Sequence, residues 1–199
     1  MSFNRSGLPG WTYNNEELFE LESVNIFKKN WQLTCHESDL PEVGDYITYD
    51  MLGERALLVR GQDKQIRAFH NLCRHRGSRL VVGERGNCKN VITCPFHAWV
   101  YNLDGTLRGP SRSETFPSID RNEWGLKPIE LDKFMGFYFV RFQPSNYPKA
   151  SDILERHKDK FELYDTENII SASKISLSES LSINWKTVRD VDNEGYHVA

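Results

Sequence analysis

Residues 71–80 read NLCRHRGSRL and residues 93–101 read TCPFHAWVY. The first stretch sets Cys73 and His75 one residue apart, and the second sets Cys94 and His97 two residues apart. Each short segment therefore offers one thiol and one imidazole. The remaining two cysteines, Cys35 and Cys88, have no partner at ligand spacing. They read as a buried apolar thiol and a loop thiol. Four cysteines in 199 residues do not make a disulfide framework. In a reducing compartment, paired Cys and His read first as metal ligands.

Two metal readings stay open on the residues alone. One tetrahedral Zn(II) accepts two Cys and two His. A two-iron, two-sulfide cluster accepts them as well, with thiolates on one iron and imidazoles on the other. The mixed pairing favours the second, because two facing loops of this kind can hold a two-iron rhomb. Gly77 and Pro95 suit the turns such loops need.

The surroundings of the two stretches read as β structure. Residues 41 to about 143 alternate apolar and polar positions in short runs broken by turn residues. WVYNLDGTLRG (99–109) predicts a hairpin turning at Asp104-Gly105. KPIELDKFMGFYFVRF (127–142) predicts two further strands with Gly136 near their junction. The expected class is mainly β plus α, with a small antiparallel β domain over 41–150. On its N-terminal side, residues 1–40 predict one helix, with Leu18, Phe19, Leu21, Val24, Ile26, Phe27 and Trp31 as its apolar stripe. Asn14 or Asn15 would cap it, ahead of Glu16 and Glu17. On the C-terminal side, residues 151–199 predict a helix capped by Ser151, a strand pair within 169–183, and a last helix from 184.

A net charge of −3 gives no basic excess for nucleic acid. With 39% hydrophobic and 27% charged residues the composition is that of a globular domain. The start, MSFNRSGLPGW, has no apolar h-region, and no run approaches a membrane span. A cytoplasmic location is expected.

CRHRG (73–77) with CPFHAW (94–99) resembles the Rieske [2Fe-2S] domain, in the form found in Rieske non-haem iron oxygenases. The resemblance implies that Cys73 and Cys94 bind one iron and His75 and His97 the other. Respiratory Rieske proteins carry an extra cysteine in each box, whereas this chain has Gly77-Ser78 and Phe96 there. Trp99 and Tyr101 also look like the oxygenase pattern. Among the other candidates, His70 reads as structural, His36 as a surface or packing residue, and His157 as solvated. Arg74, Arg76 and Arg79 read as local salt bridges or as a docking patch for an acidic redox partner.

NWKTVRDVDNEGYHVA (184–199) is the second informative stretch. Asp190, Glu194 and His197 stand at i, i+4 and i+7 and share one helical face. An acid one turn before a histidine can hold that ring for a metal. The stretch is similar to the start of the oxygenases' catalytic site. That resemblance implies His197 as first ligand of a mononuclear Fe(II), within a 2-His-1-carboxylate triad. It implies Glu194 as the bridging acid to a cluster histidine of a neighbouring subunit. Glu at that place resembles branches acting on quaternary ammonium compounds, and Asp190 stands where many members have Asn.

The resemblance runs from LPGW (8–11) to the last residues and reaches only the first half of such a subunit. The second His, the distal carboxylate and most of a helix-grip-like sheet are expected elsewhere. What it implies is a terminal oxygenase component, homotrimeric when whole. NAD(P)H would act indirectly through a flavin reductase or a ferredoxin, and O2 would hydroxylate an organic substrate. The 199 residues alone are expected not to oxygenate, and to expose apolar surface. The alternatives are a stand-alone electron carrier of the Rieske ferredoxin type and a zinc-dependent structural module.

Overall fold

The computed structural model describes residues 7–110, 112–115, 119–121, 123–170 and 181–193. The chain divides into two compact units, residues 27–172 and a smaller unit formed from 1–26 with 173–199. No helix among the described residues is long and apolar enough to cross a membrane.

The larger unit is built from three antiparallel sheets. The first is β1 (Gln32–His36), β10 (Phe137–Arg141) and β9 (Glu130–Phe134), in that order. The second runs β4 (Ile66–His70), β3 (Glu54–Arg60), β2 (Asp45–Met51), β5 (Arg85–Asn87). The third is the meander β6 (Val91–Thr93), β7 (Val100–Asn102), β8 (Leu107–Gly109). Short alternating strands with turn residues between them produce this antiparallel pattern.

Strand β3 explains how the unit closes. Successive side chains of a strand face opposite ways. Leu57 and Val59 enter one core, with Phe69, Cys73, Ile92, Cys94, Trp99 and Tyr101. Ala56 and Leu58 enter the other, with Cys35, Leu40, Ile47, Tyr138 and Val140. All four of these β3 residues are fully buried. Both cysteines of the paired motifs lie in the first core.

The predicted turns form where expected. Asp104 accepts hydrogen bonds from the Thr106 amide (2.9 Å) and hydroxyl (2.6 Å), turning β7 into β8. Met135 and Gly136 join β9 to β10 with φ of 47° and 86°. A Cβ at Gly136 would lie 2.2 Å from Nε2 of His36, so glycine is needed there for space as well as for φ. His36 is a packing residue and not a surface one. It is buried, with Nδ1 2.9 Å from the Ser38 hydroxyl and Nε2 2.9 Å from the Thr166 carbonyl.

Three local expectations are corrected. Residues 32–36, grouped by the sequence with the N-terminal helical segment, form a strand paired to β10. The helix expected from Ser151 begins at Ala150 as α2 (Ala150–Glu155) with Lys149 as its cap residue. Asp152 caps it by accepting from the Lys149 amide, while the Ser151 amide donates to Asp132. That helix also breaks, because His157 leaves helical geometry (φ −118°, ψ 7°) before α3 (Lys158–Glu162).

In the smaller unit, the 3-10 turn Gly10–Tyr13 precedes α1 (Glu16–Glu22), capped by the Asn15 side chain accepting from the Leu18 amide (2.6 Å). The final helix spans Trp185–Asn193, and Asn184 caps it by accepting from the Lys186 amide (3.0 Å). Glu22 joins the two helices. Its carboxylate takes the Trp185 indole N–H at 2.8 Å and the buried Lys186 ammonium at 2.8 Å. Leu21, Val24 and Ile26 of the expected apolar stripe are exposed. The strand pair expected within 169–183 lies largely outside the described residues.

Candidate metal centre

The two Cys-His segments fold as one backbone template used twice. The first loop, Cys73–Ser78, follows β4, and the second, Cys94–Trp99, joins β6 to β7. In each, the cysteine N–H donates to the carbonyl five residues on, Ser78 at 2.7 Å and Trp99 at 2.8 Å. In each, the N–H four residues on donates back to the cysteine carbonyl, Gly77 at 2.8 Å and Ala98 at 3.0 Å. The fourth residue takes a left-handed conformation in both, φ 68° at Gly77 and 51° at Ala98. Gly77 adopts it freely, whereas Ala98 is strained there.

The four donors sort by type. Cys73 and Cys94 are buried, close enough that each thiol shifts the ionisation of the other. The His75 and His97 rings lie 4.9 Å apart, centroid to centroid, and are only partly buried. His75 stacks flat on buried Trp99 at 5.1 Å. Among the described residues, no three His, Cys, Asp or Glu side chains converge on a single-ion site. Two thiols side by side and two imidazoles side by side fit a two-metal cluster with mixed ligands better than one tetrahedral zinc.

The electrostatics of the thiols differ. Burial pushes Cys73 up, partly opposed by the Tyr101 hydroxyl and the His75 backbone. Burial also pushes Cys94 up, but N–H groups of His97 and Phe96 and the side chains of Cys73 and Ser78 outweigh it, and the thiol is lowered. Burial, then the neighbouring His97 and Arg76, favours neutral His75. That is the form a metal requires. Cys35 and Cys88 are pushed by burial to about 12 and about 11, so both remain thiols.

Supports that the spacing did not mark hold the first loop. Asn71 is fully buried, and its side-chain oxygen accepts from the Leu80 (3.2 Å) and Val81 (3.1 Å) amides. Its NH2 donates to the Val81 carbonyl at 2.8 Å. The only available signal was an amide residue standing between a strand and a turn. The Tyr101 hydroxyl accepts from the Arg74 amide at 3.0 Å and lies 3.3 Å from the Cys73 sulfur. The amide takes one lone pair and leaves the hydroxyl proton free, so the hydroxyl is the donor to the sulfur once Cys73 is a thiolate. Of the three arginines, Arg79 pairs with Asp50 at 2.8 Å.

Of the second motif, Asp190 accepts from the Tyr13 hydroxyl. Glu194 and His197 lie outside the described residues. Glu22 is buried, which opposes ionisation, yet Lys186 and Trp185 hold it below the usual glutamate range.

The family model of the Rieske [2Fe-2S] domain matches residues 30–120. The carnitine monooxygenase oxygenase subunit of Escherichia coli strain K12 is 42% identical over 195 residues, covering 96% of this chain and 50% of that protein. The glycine betaine monooxygenase oxygenase subunit of Pseudomonas aeruginosa strain UCBPP-PA14 is 36% identical, covering 96% and 43%. Among solved structures, the quaternary ammonium Rieske monooxygenase CntA with an inhibitor matches at a TM-score of 0.85 and 33% identity, over 96% of this chain and 52% of that one. The chain spans about half the length of the curated relatives it matches. Residues 30–120 thus match a Rieske [2Fe-2S] domain, and nearly the whole chain is similar to about half the length of Rieske oxygenase subunits.

Proposed function

We propose that Cys73 and Cys94 hold one iron and His75 and His97 the other iron of a Rieske cluster. The chain is then the electron-relay half of a terminal oxygenase component. The observation that carries this reading is the repeated loop template, which delivers two buried thiols to one side and two part-exposed imidazoles to the other. When bound, such a cluster passes single electrons at a potential above that of an all-cysteine ferredoxin. The chain's own groups prepare for it. Amides of Phe96 and His97 and the Ser78 hydroxyl favour thiolate at Cys94. Tyr101 directs a proton to the Cys73 sulfur. Trp99 fixes the plane of His75.

For the whole protein the reading extends to O2-dependent hydroxylation at a mononuclear Fe(II) site. His197 is its first ligand, and Glu194 is the acid bridging to a cluster histidine of the next subunit in a homotrimer. Asp190, held by Tyr13, stands four residues before Glu194 in the sequence. The names of the relatives support a quaternary ammonium substrate over an aromatic one. Electrons would come from NAD(P)H through a reductase or ferredoxin, in the cytoplasm. A stand-alone carrier has no need of the Glu22–Lys186–Trp185 junction in the smaller unit.

The test is the EPR spectrum of dithionite-reduced protein with iron, sulfide and zinc counted on the same sample. A rhombic signal with two irons and two sulfides per chain is expected. A silent sample holding one zinc would overturn the reading.

A further inference from the structure

Glu22, at the end of α1, meets the NWK run (184–186) that opens α4 (Trp185–Asn193), a junction that electron relay does not use. Glu22 and Lys186 are both buried, and the ammonium lies 2.8 Å from each carboxylate oxygen. The Trp185 indole N–H reaches the same carboxylate at 2.8 Å, and Asn184 caps the helix one residue earlier. Adjacent residues of a helix point about 100° apart. Both therefore reach one carboxylate only when the helix is turned one way. A second fixed point lies four residues on, where Asp190 accepts from the Tyr13 hydroxyl. Lys186 and Asp190 share a face at i and i+4. Two points one turn apart on that face set the rotation of α4 and its position along its axis. A buried ion pair adds little net stability, because desolvation offsets the attraction. Its effect is on placement, since no apolar neighbour satisfies either charge.

We infer that Glu22 is a positioning residue for the mononuclear iron site: it fixes α4, and α4 in turn places Glu194 and His197. The inference rests on the proposed function for the roles of those two residues. In sequence, Lys186, Asp190 and Glu194 form one series at four-residue spacing, and His197 follows three residues later. Glu22 acts on that site through Trp185 and Lys186, from more than 160 positions away in the chain. A helix that turns or slides carries the residues after it along. A displacement of about 1 Å at a reacting centre costs on the order of a hundredfold in rate.

The test exchanges the pair for apolar side chains, Glu22→Leu with Lys186→Met, in the whole protein loaded with iron. The urea midpoint should not move, because such an exchange leaves net stability about where it was. Binding of Fe(II) beyond the cluster should weaken about tenfold, read as iron against acid-labile sulfide on the same sample. The nitric oxide adduct of the iron that remains should show an altered EPR splitting, while the signal of the reduced cluster stays the same. Iron retention and an adduct spectrum equal to the parent's would overturn the inference. So would loss of iron in step with a lowered urea midpoint, which marks the pair as a stability element. Glu22→Gln with Lys186→Met keeps an acceptor for the Trp185 indole and covers the case in which the first variant does not fold. The same weakening is expected there, and its absence refutes the inference. A parent protein that binds no iron beyond its cluster would refute the reading on which the inference rests. Amide exchange then decides whether Glu22 fixes the helix: faster exchange at Arg189–Asn193 in the variant is expected, and unchanged exchange refutes it.

Discussion

The two loops share a backbone and differ in what holds them. The second loop is the connection of a hairpin, so strands β6 and β7 fix both of its ends. The first has a strand only before it, and its far end is tied down by the Asn71 side chain. The left-handed residue is glycine in the first loop and alanine in the second. A loop anchored at both ends by a ladder can carry a strained residue. A loop anchored by one side chain uses the residue that adopts the conformation without strain. The same backbone turn is thus reached by different local means, and each loop has its own weak point.

Asn71→Ala should break the comparison most sharply. It removes the partner of the Leu80 and Val81 amides, while the Val81 carbonyl keeps the Arg79 guanidinium, a loss of about 2–4 kcal/mol. Amide exchange should accelerate at Leu80 and Val81 far more than at Cys94 and Ala98, and equal acceleration in both loops would contradict separate anchoring. Exchanging the left-handed residues sharpens the point. Gly77→Ala should lower stability by about 1–2 kcal/mol in urea unfolding. Ala98→Gly should raise it by less than about 1 kcal/mol, since the freer unfolded chain offsets the strain relieved. Shifts of the same sign would mean the two turns are not equivalent. The smallest effect is expected from Tyr101→Phe, about 1 kcal/mol. In cluster-loaded protein it should also lower the midpoint potential, because a hydrogen bond to the Cys73 sulfur is lost. An unchanged voltammogram would remove Tyr101 from the account.

The four candidate donors stood out because thiols and imidazoles at short, mixed spacing have few other uses. The tight turns at Gly105 and Gly136 were legible for the same local reason. What escaped was decided at long range. Strand β1 exists because residues 137–140 lie ready to pair with it, more than a hundred positions later. His36 is buried because Gly136 makes room and the Thr166 carbonyl meets its ring. Arg79 belongs to Asp50 on another strand. None of these pairings leaves a periodic trace. At the start of α2, Ser151 and Asp152 are both plausible caps, and the carboxylate of Asp132 settles the choice by taking the serine amide.

Strand β3 has a consequence for folding fidelity. Its inward residues alternate between two interiors, with Leu57 and Val59 on one side and Ala56 and Leu58 on the other. A slip of one residue against β2 would swap these sets and turn every side chain of the strand to the wrong interior. Alanine would then leave a gap where the thiol-bearing core expects leucine, and leucine would press into the space of a methyl group. Both faces would penalise the error at once. A strand with one wet face would register it only once, so mispaired forms of this one should be rejected early, before the loops meet.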